Sequence, residues 1–424
     1  MIARLRTILA ALGLLSAALS SAQEMGPSRV IDRGYFGMHI HRAAAGTPWP
    51  GVEFGSWRLW DAHVTWRDLE PFKGYWRFDT LDRLVSMAEE RHVSLMLTLG
   101  STPVWASARP AEACSAGGRG CAAEPESLED WEDYVRAVVT RYRGRIDAYE
   151  LWNEVHFSDL GDGDLYDANG TAYFFSGSSA KMVELARSTH RIIKEIDPGA
   201  MLASPSMHVY GDWIKRLRLY FDAGGTAYTD VVSFHFYASS PEDTLRTIRA
   251  VRAAMHDHGL DEKPLWNTET GFVVQDPSGP PRQDASTPEQ VAEFIARSFI
   301  LDAAAGVERV YWYAWDNQIY GLTTSNGRVP TAAAAGYAAA EDWLVGATVR
   351  ACQRHADGVW ACEVEKDGKM FRAVWRAEGA VAWPLPAEWR VSAFKPLQPP
   401  DGPWIPLVDR HAQIGSNPLL FRSD

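Results

Sequence analysis

From Tyr35 to about Ala340 the chain alternates short apolar runs with amphipathic stretches of helical period, and this alternation constrains the fold more than any other feature. Strand followed by helix followed by strand builds a parallel sheet, because each helix returns the backbone to where the next parallel strand can begin. The strand candidates are 34–39, 56–59, 94–99, 148–152, 201–204, 231–235, 264–267 and 309–315. Helical stretches are expected over 80–91, 179–196, 212–221, 241–258 and 288–305, with the Ala-rich 331–340 as the last helix. Between the third and fourth strands, Ser127 and Asp130 resemble a capping box. Trp131, Tyr134, Val135, Val138, Val139 and Tyr142 follow at the spacing of one buried helix face. Eight strands with interleaved helices predict a (β/α)8 barrel of the α/β class. No Gly-rich phosphate loop follows a strand, which disfavours a doubly wound nucleotide-binding sheet.

Beyond about Leu344 the texture changes to alternating Val, Trp, Phe and Thr, with turn signals at Asp357-Gly358, Asp367-Gly368 and Glu378-Gly379. This predicts a small β-sandwich over 344–424. At the other end, Arg4 and Arg6 precede an apolar run from Ile8 to Leu15 and then small residues ending at Ala22. That order predicts a secretory signal peptide over 1–22, a retained anchor being the alternative, and leaves 23–343 for the barrel. A secreted or periplasmic location follows, in which Cys114 with Cys121 and Cys352 with Cys362 are expected as two local disulfides.

A net charge of −12 without a Lys/Arg-rich run excludes nucleic acid and anionic membrane surfaces as partners. Eighteen tryptophans are more than packing alone ordinarily uses, and sugar rings are natural partners for their flat faces.

In such barrels the reactive groups sit at the C-terminal ends of strands. The fourth strand ends in Trp152-Asn153-Glu154 and the seventh in Asn267-Thr268-Glu269, so two carboxyl groups are aimed at one mouth. Glycosidic cleavage needs such a pair, one carboxyl protonated to assist the leaving oxygen and one ionised to attack or activate. His235 and Tyr237 end the sixth strand on one face by alternation. Trp60, Trp105 and Trp315 fall at or beyond strand ends, where an indole can stack on a pyranose, whereas Trp312 is expected in packing. His39 and His41 share a face, but no third ligand lies at a recognisable spacing, so no metal and no cofactor are expected.

The two strand ends resemble those of the retaining clan-A glycoside hydrolases. Phe36-Gly37-Met38-His39-Ile40-His41, Trp57-Arg58-Leu59-Trp60-Asp61 and Thr65-Trp66-Arg67-Asp68-Leu69-Glu70-Pro71 with Gly74-Tyr75-Trp76 resemble glycoside hydrolase family 39 more narrowly, and the modest length, the expected signal peptide and the short C-terminal sandwich most resemble its PslG-type bacterial exopolysaccharide hydrolases. The resemblance implies Glu154 as general acid/base, Glu269 as nucleophile and Asn153 on the sugar 2-hydroxyl. It implies Arg58 beside the nucleophile and Tyr237 hydrogen-bonded to it. His41 and His235 are expected near the sugar, and Trp315 as a platform beneath it. The expected activity is hydrolysis of β-glycosidic bonds inside a polysaccharide, by a monomer. A non-hydrolytic carbohydrate-binding or biosynthesis-associated protein and a transglycosylase are the alternatives.

Overall fold

The computed structural model describes residues 26, 28–208, 211–277, 279–324, 327–400 and 402–423, so the expected leader lies outside the described residues. Eight parallel strands, β1 (Phe36–Met38), β2 (Ser56–Leu59), β3 (Ser94–Leu99), β4 (Ala148–Leu151), β5 (Met201–Ala203), β6 (Val232–Phe236), β7 (Leu265–Thr270) and β8 (Arg309–Trp312), form one sheet in the order β5-β4-β3-β2-β1-β8-β7-β6. Its two edges meet through the parallel bridge Ala203–Val231 and the bond from the Ser204 N–H to the Val231 carbonyl, closing the barrel. All eight expected strands are present. The seventh runs on to Thr270, and the eighth stops at Trp312 instead of 315.

The helices are α1 (Trp66–Leu69), α2 (Asp79–Arg91), α3 (Leu128–Arg141), α4 (Asp162–Leu165), α5 (Ser179–Ile196), α6 (Trp213–Asp222), α7 (Thr244–Asp257), α8 (Pro288–Ala304) and α9 (Ala332–Leu344). Helix α3 buries Trp131, Tyr134, Val135, Val138 and Val139, as its spacing requires, at about 1.5–3 kcal/mol for each large side chain. The expected capping box does not form: Ser127 makes no side-chain cap bond. Trp131 instead ties α3 to α5 by donating from Nε1 to Thr189 Oγ1 at 2.9 Å. Thr287 and Gln290 do make a reciprocal capping box, at the start of α8.

The C-terminal strands are β9 (Ala347–Arg354), β10 (Val359–Lys366), β11 (Lys369–Arg376), β12 (Val381–Pro384), β13 (Val391–Pro396), β14 (Ile405–Pro406), β15 (His411–Ile414) and β16 (Leu419–Ser423). They form a six-stranded sheet, β14-β13-β16-β11-β10-β9, faced by a two-stranded one, β12-β15. Cys352 and Cys362 stand opposite each other on β9 and β10 and are joined, as are Cys114 and Cys121. Asp367 and Gly368, both at positive φ, make the tight β10–β11 turn. One face of the large sheet carries Cys352, Trp360, Trp375 and Leu420 into the barrel core; the other joins Trp383, Leu385 and Ile414 in a small core of its own. Trp375 donates from Nε1 to Glu242 Oε1 at 2.8 Å, and Glu242 is paired with Arg297 of α8, so the sheet is docked on the barrel wall.

Candidate active site

Alternation along β4 turns Ala148 and Glu150 into the barrel. The strand ends where the Trp152 N–H bonds the Leu99 carbonyl and the backbone turns left-handed, with φ +67° at Trp152 and +43° at Glu154. Bulky residues avoid this region, and such strain gathers at functional sites. Gly100 permits it, because a Cβ there would lie 2.8 Å from the Trp152 ring. The indole is further pinned by a 2.6 Å bond from Nε1 to the Phe174 carbonyl. Asn153 and Glu154 are thereby carried over the barrel mouth.

Glu269 arrives by a different device. Trp266 belongs to the packing inside the barrel, whereas Asn267 faces outward and donates to Asp302 of α8 at 2.9 Å. Strict alternation would then send Glu269 outward as well. The pairing of β7 slips by one residue against both neighbours, between Asn267 and Thr270 on the β8 side and at Phe234/His235 on the β6 side. A bulge re-aims the following side chain, and here it brings Glu269 inward.

Below the mouth, Arg58 is fully buried and gathers the acids. Its Nη1 donates to Glu269 Oε2 at 2.8 Å, its Nε to Glu150 Oε2 at 2.9 Å, and its Nη2 to Glu150 and to Asn153 Oδ1, the latter at 2.7 Å. Thr98 adds a 3.0 Å bond to Glu150. Tyr237 donates from its hydroxyl to Glu269 Oε1 at 2.7 Å, and His235 Nδ1 lies 3.0 Å from Glu154 Oε1.

Two carboxyl groups so close cannot ionise independently, so they titrate as a pair. Burial pushes Glu154 well above the usual carboxylate range, the Glu269 charge pushes it further, and Arg58 opposes. Burial also raises Glu269, to about 7, but Arg58 and then the Tyr237 hydroxyl hold it down. The asymmetry has a simple cause: the guanidinium is hydrogen-bonded to Glu269 and not to Glu154. Glu154 therefore keeps its proton to higher pH than Glu269. Burial, with Arg58 next, holds His235 well below its ordinary value, so the imidazole is neutral.

Glu154, His235 and Glu269 offer one ligand atom each, all within 4.8 Å of one another, as a metal site would. The Arg58 guanidinium on one Glu269 oxygen and the Tyr237 hydroxyl on the other already occupy that carboxylate and add a fixed positive charge. The donor set suits proton transfer better than a cation.

A cavity of about 240 Å³ opens over the pair, lined by Trp60, Asp61, Asn153, Glu154, Phe174 and His208, and closed by Tyr237, Glu269, Tyr313 and Tyr320. Several expected sugar contacts lie elsewhere. Arg58 and His235 sit beneath the carboxylates and do not line the cavity. His41 packs its ring 4.8 Å from that of Tyr313, which takes the cavity position instead. Trp315 is only 2% exposed and belongs to the barrel core, because its N–H bonds the His39 carbonyl and draws it back over β1. Trp105 bonds the Glu70 carbonyl and lines a separate groove beside α3. Residues the sequence reading missed include Glu150, Asp61 and Tyr313, whose hydroxyl donates to Asp61 Oδ2 at 2.5 Å. Glu150 had a signal, sharing the parity of Ala148 on a strand that ends at a candidate acid, and Tyr313 shared the parity of Tyr311 and Trp315 within the expected eighth strand; Asp61 lies in an irregular segment and had none.

Comparison with known proteins agrees with this geometry. Residues 60–191, which include Glu154, match the family described as glycosyl hydrolase family 10, and residues 176–335, which include Glu269, match the glycosyl hydrolase catalytic core. No curated protein matches the sequence. Among solved structures, a family 30 endoxylanase from Clostridium papyrosolvens C71 is 15% identical with a TM-score of 0.59, covering 94% of this chain and 98% of its own. A glucosidase from Croceicoccus marinus is 15% identical at 0.57, over 86% and 78%. A family 44 endoglucanase from Clostridium acetobutylium ATCC 824 is 10% identical at 0.58, over 95% and 98%. At these identities the structures show a shared fold. Two glycosyl hydrolase models that together run along most of the barrel, each containing one of the facing acids, make this chain a glycoside hydrolase.

Proposed function

We propose that the protein is a retaining β-glycosidase cutting inside polysaccharide chains, with Glu269 as nucleophile and Glu154 as general acid and base. The observation that carries the reading is a close and unequal pair: facing oxygens within 4.8 Å, one carboxyl held by Arg58 and Tyr237 and the other not. Retaining enzymes hold their carboxyl groups about 5–5.5 Å apart, whereas inversion needs about 6.5–9.5 Å to admit water.

In the first step a Glu269 oxygen bonds to the anomeric carbon, the glycosidic C–O bond breaks, and the Glu154 proton passes to the departing oxygen. In the second, Glu154, now a carboxylate, takes a proton from water, whose oxygen bonds to the anomeric carbon as the ester to Glu269 breaks. Asn153 has its carbonyl oxygen engaged by Arg58, which leaves the amide N–H groups for the sugar 2-hydroxyl. Trp60 offers an indole at the cavity wall.

Internal cleavage is supported by the neighbouring space. The catalytic cavity shares Glu154, Phe174 and His208 with one cavity of about 490 Å³, and Tyr237 and Tyr320 with another of about 840 Å³. A polymer can therefore extend beyond the bond being cut. Asp61 beside the two glutamates favours an uncharged sugar over a uronic acid at the reacting position. The motifs of the first two strands support family 39, the short C-terminal sandwich supports a bacterial exopolysaccharide, and the expected leader with two disulfides supports export.

The test is incubation with 2-deoxy-2-fluoro aryl glycosides followed by peptide mass spectrometry, alongside product analysis on exopolysaccharides and xylans. An adduct on the Glu269 peptide is expected. An adduct on another residue, or products of inverted configuration, would overturn the assignment.

A further inference from the structure

Beside α3, sharing no lining residue with the catalytic cavity, runs a groove of about 660 Å³. One wall is aromatic. Trp76 and Phe78 stack with ring centroids 5.4 Å apart and planes within 4°, and Trp105 continues the wall, its indole fixed by the 2.9 Å bond to the Glu70 carbonyl. The other wall is the polar face of α3, where Asp130, Asp133, Arg136 and Thr140 recur at helical spacing opposite the buried stripe. From Asp130 to Arg141 this face is about 16 Å long at 1.5 Å per residue, room for several linked pyranose rings.

The rim adds a second observation. Phe72 and Tyr75, 70% and 58% exposed, are the only aromatic side chains among the large hydrophobic residues that stand exposed in the described structure. They face each other across the tight hairpin that also carries Lys73 and Trp76 into the groove, with centroids 6.5 Å apart. Water-facing rings beside a trench of aromatic and hydrogen-bonding groups make a binding surface.

Charge selects the occupant. Glu70, Asp130 and Asp133 line the groove with Lys73, Arg136 and Arg141, but Lys73 is on Asp130 at 2.6 Å, Arg136 on Glu195 at 3.5 Å and Arg141 on Asp82 at 2.6 Å, so the cations are already paired and leave no excess positive charge for a polyanion. Aromatic faces for C–H surfaces and carboxylate and guanidinium edges for hydroxyl groups suit an uncharged glycan. We propose that this groove is a non-catalytic binding site for a neutral polysaccharide chain, holding the polymer while another stretch of it is cut. The inference rests on the glycosidase reading above.

The experiment is affinity electrophoresis of the full chain bearing Glu154→Gln, in native gels containing hydroxyethylcellulose, β-1,4-xylan, β-mannan or, as a polyanion, alginate. Retardation by at least one neutral polymer is expected, with a Kd at least threefold weaker after Phe72→Ala with Tyr75→Ala, and again after Trp76→Ala, each checked for an unchanged melting profile. Mobility that the substitutions leave unaltered, no retardation by any neutral polymer, or retardation by alginate alone would each overturn the proposal. Cleavage by Glu154→Gln at the parent rate would instead sink the catalytic reading and leave the groove standing.

Discussion

Arg58 Nη1 lies 2.8 Å from Glu269 Oε2, and the same guanidinium is held from behind by Glu150, which has no exposure to solvent. The cation therefore cannot leave Glu269 without breaking a buried pair. Replacing it removes the charge that holds Glu269 down, so the Glu269 pKa rises and its ionised form is lost at higher pH. In Arg58→Met the acid limb of kcat/KM should move upward in pH, and folding should weaken by about 3–5 kcal/mol because Glu150 is left buried without a counter-charge. Arg58→Lys should restore part of both. A pH–rate profile and urea unfolding check this.

Tyr237→Phe removes the 2.7 Å hydrogen bond to Glu269 Oε1 and little else. A bond to a charged group contributes about 1.5–3 kcal/mol, so kcat/KM should fall about tenfold to a hundredfold, again with the acid limb displaced upward. An unchanged profile would show that the hydroxyl does not act on the Glu269 carboxylate.

Glu154→Gln should lower turnover about 10²–10⁴-fold on substrates with poor leaving groups, and much less when the leaving group needs no proton. Stability should move the other way. Glu154 has a raised pKa in the folded state, so between its unfolded and folded values the native protein holds a proton that the unfolded chain has released, and stability falls as pH rises. Gln carries no such dependence. The Tm advantage of Glu154→Gln over the parent should grow from pH 5 to pH 8; an advantage that shrinks over this range would contradict the proton assignment.

The Cys352–Cys362 bond closes a loop with a sequence separation of 10 on the C-terminal sheet, on strands that do not touch the catalytic cavity. Loss of the bond in the paired Ser variant should cost about 2–3 kcal/mol by the loop-entropy relation while leaving kcat/KM at 25 °C unchanged. Calorimetry and a rate assay on the same preparation check both halves.

The sequence by itself determined the periodic part of this protein. Eight apolar runs, each short enough for a strand and separated by helical stripes such as Trp131 to Val139, with no phosphate loop after any strand, point to a closed parallel barrel, and in it the acids at the ends of two runs share one mouth. The cysteine pairs were equally legible, because a short separation leaves each sulfur with one near partner. Periodicity says nothing about departures from itself, and the site is made of departures. A one-residue bulge in β7 decides that Glu269 points inward; left-handed residues at Trp152 and Glu154 carry the other acid over the mouth. Tyr313 rather than Trp315 reaches the cavity, because Trp315 is drawn back over β1 by a backbone bond. Only the tertiary structure could bring Arg58, Glu150, Asn153 and Glu269 onto one buried guanidinium, since their proximity is set by the curvature of the closed sheet and not by any spacing along the chain.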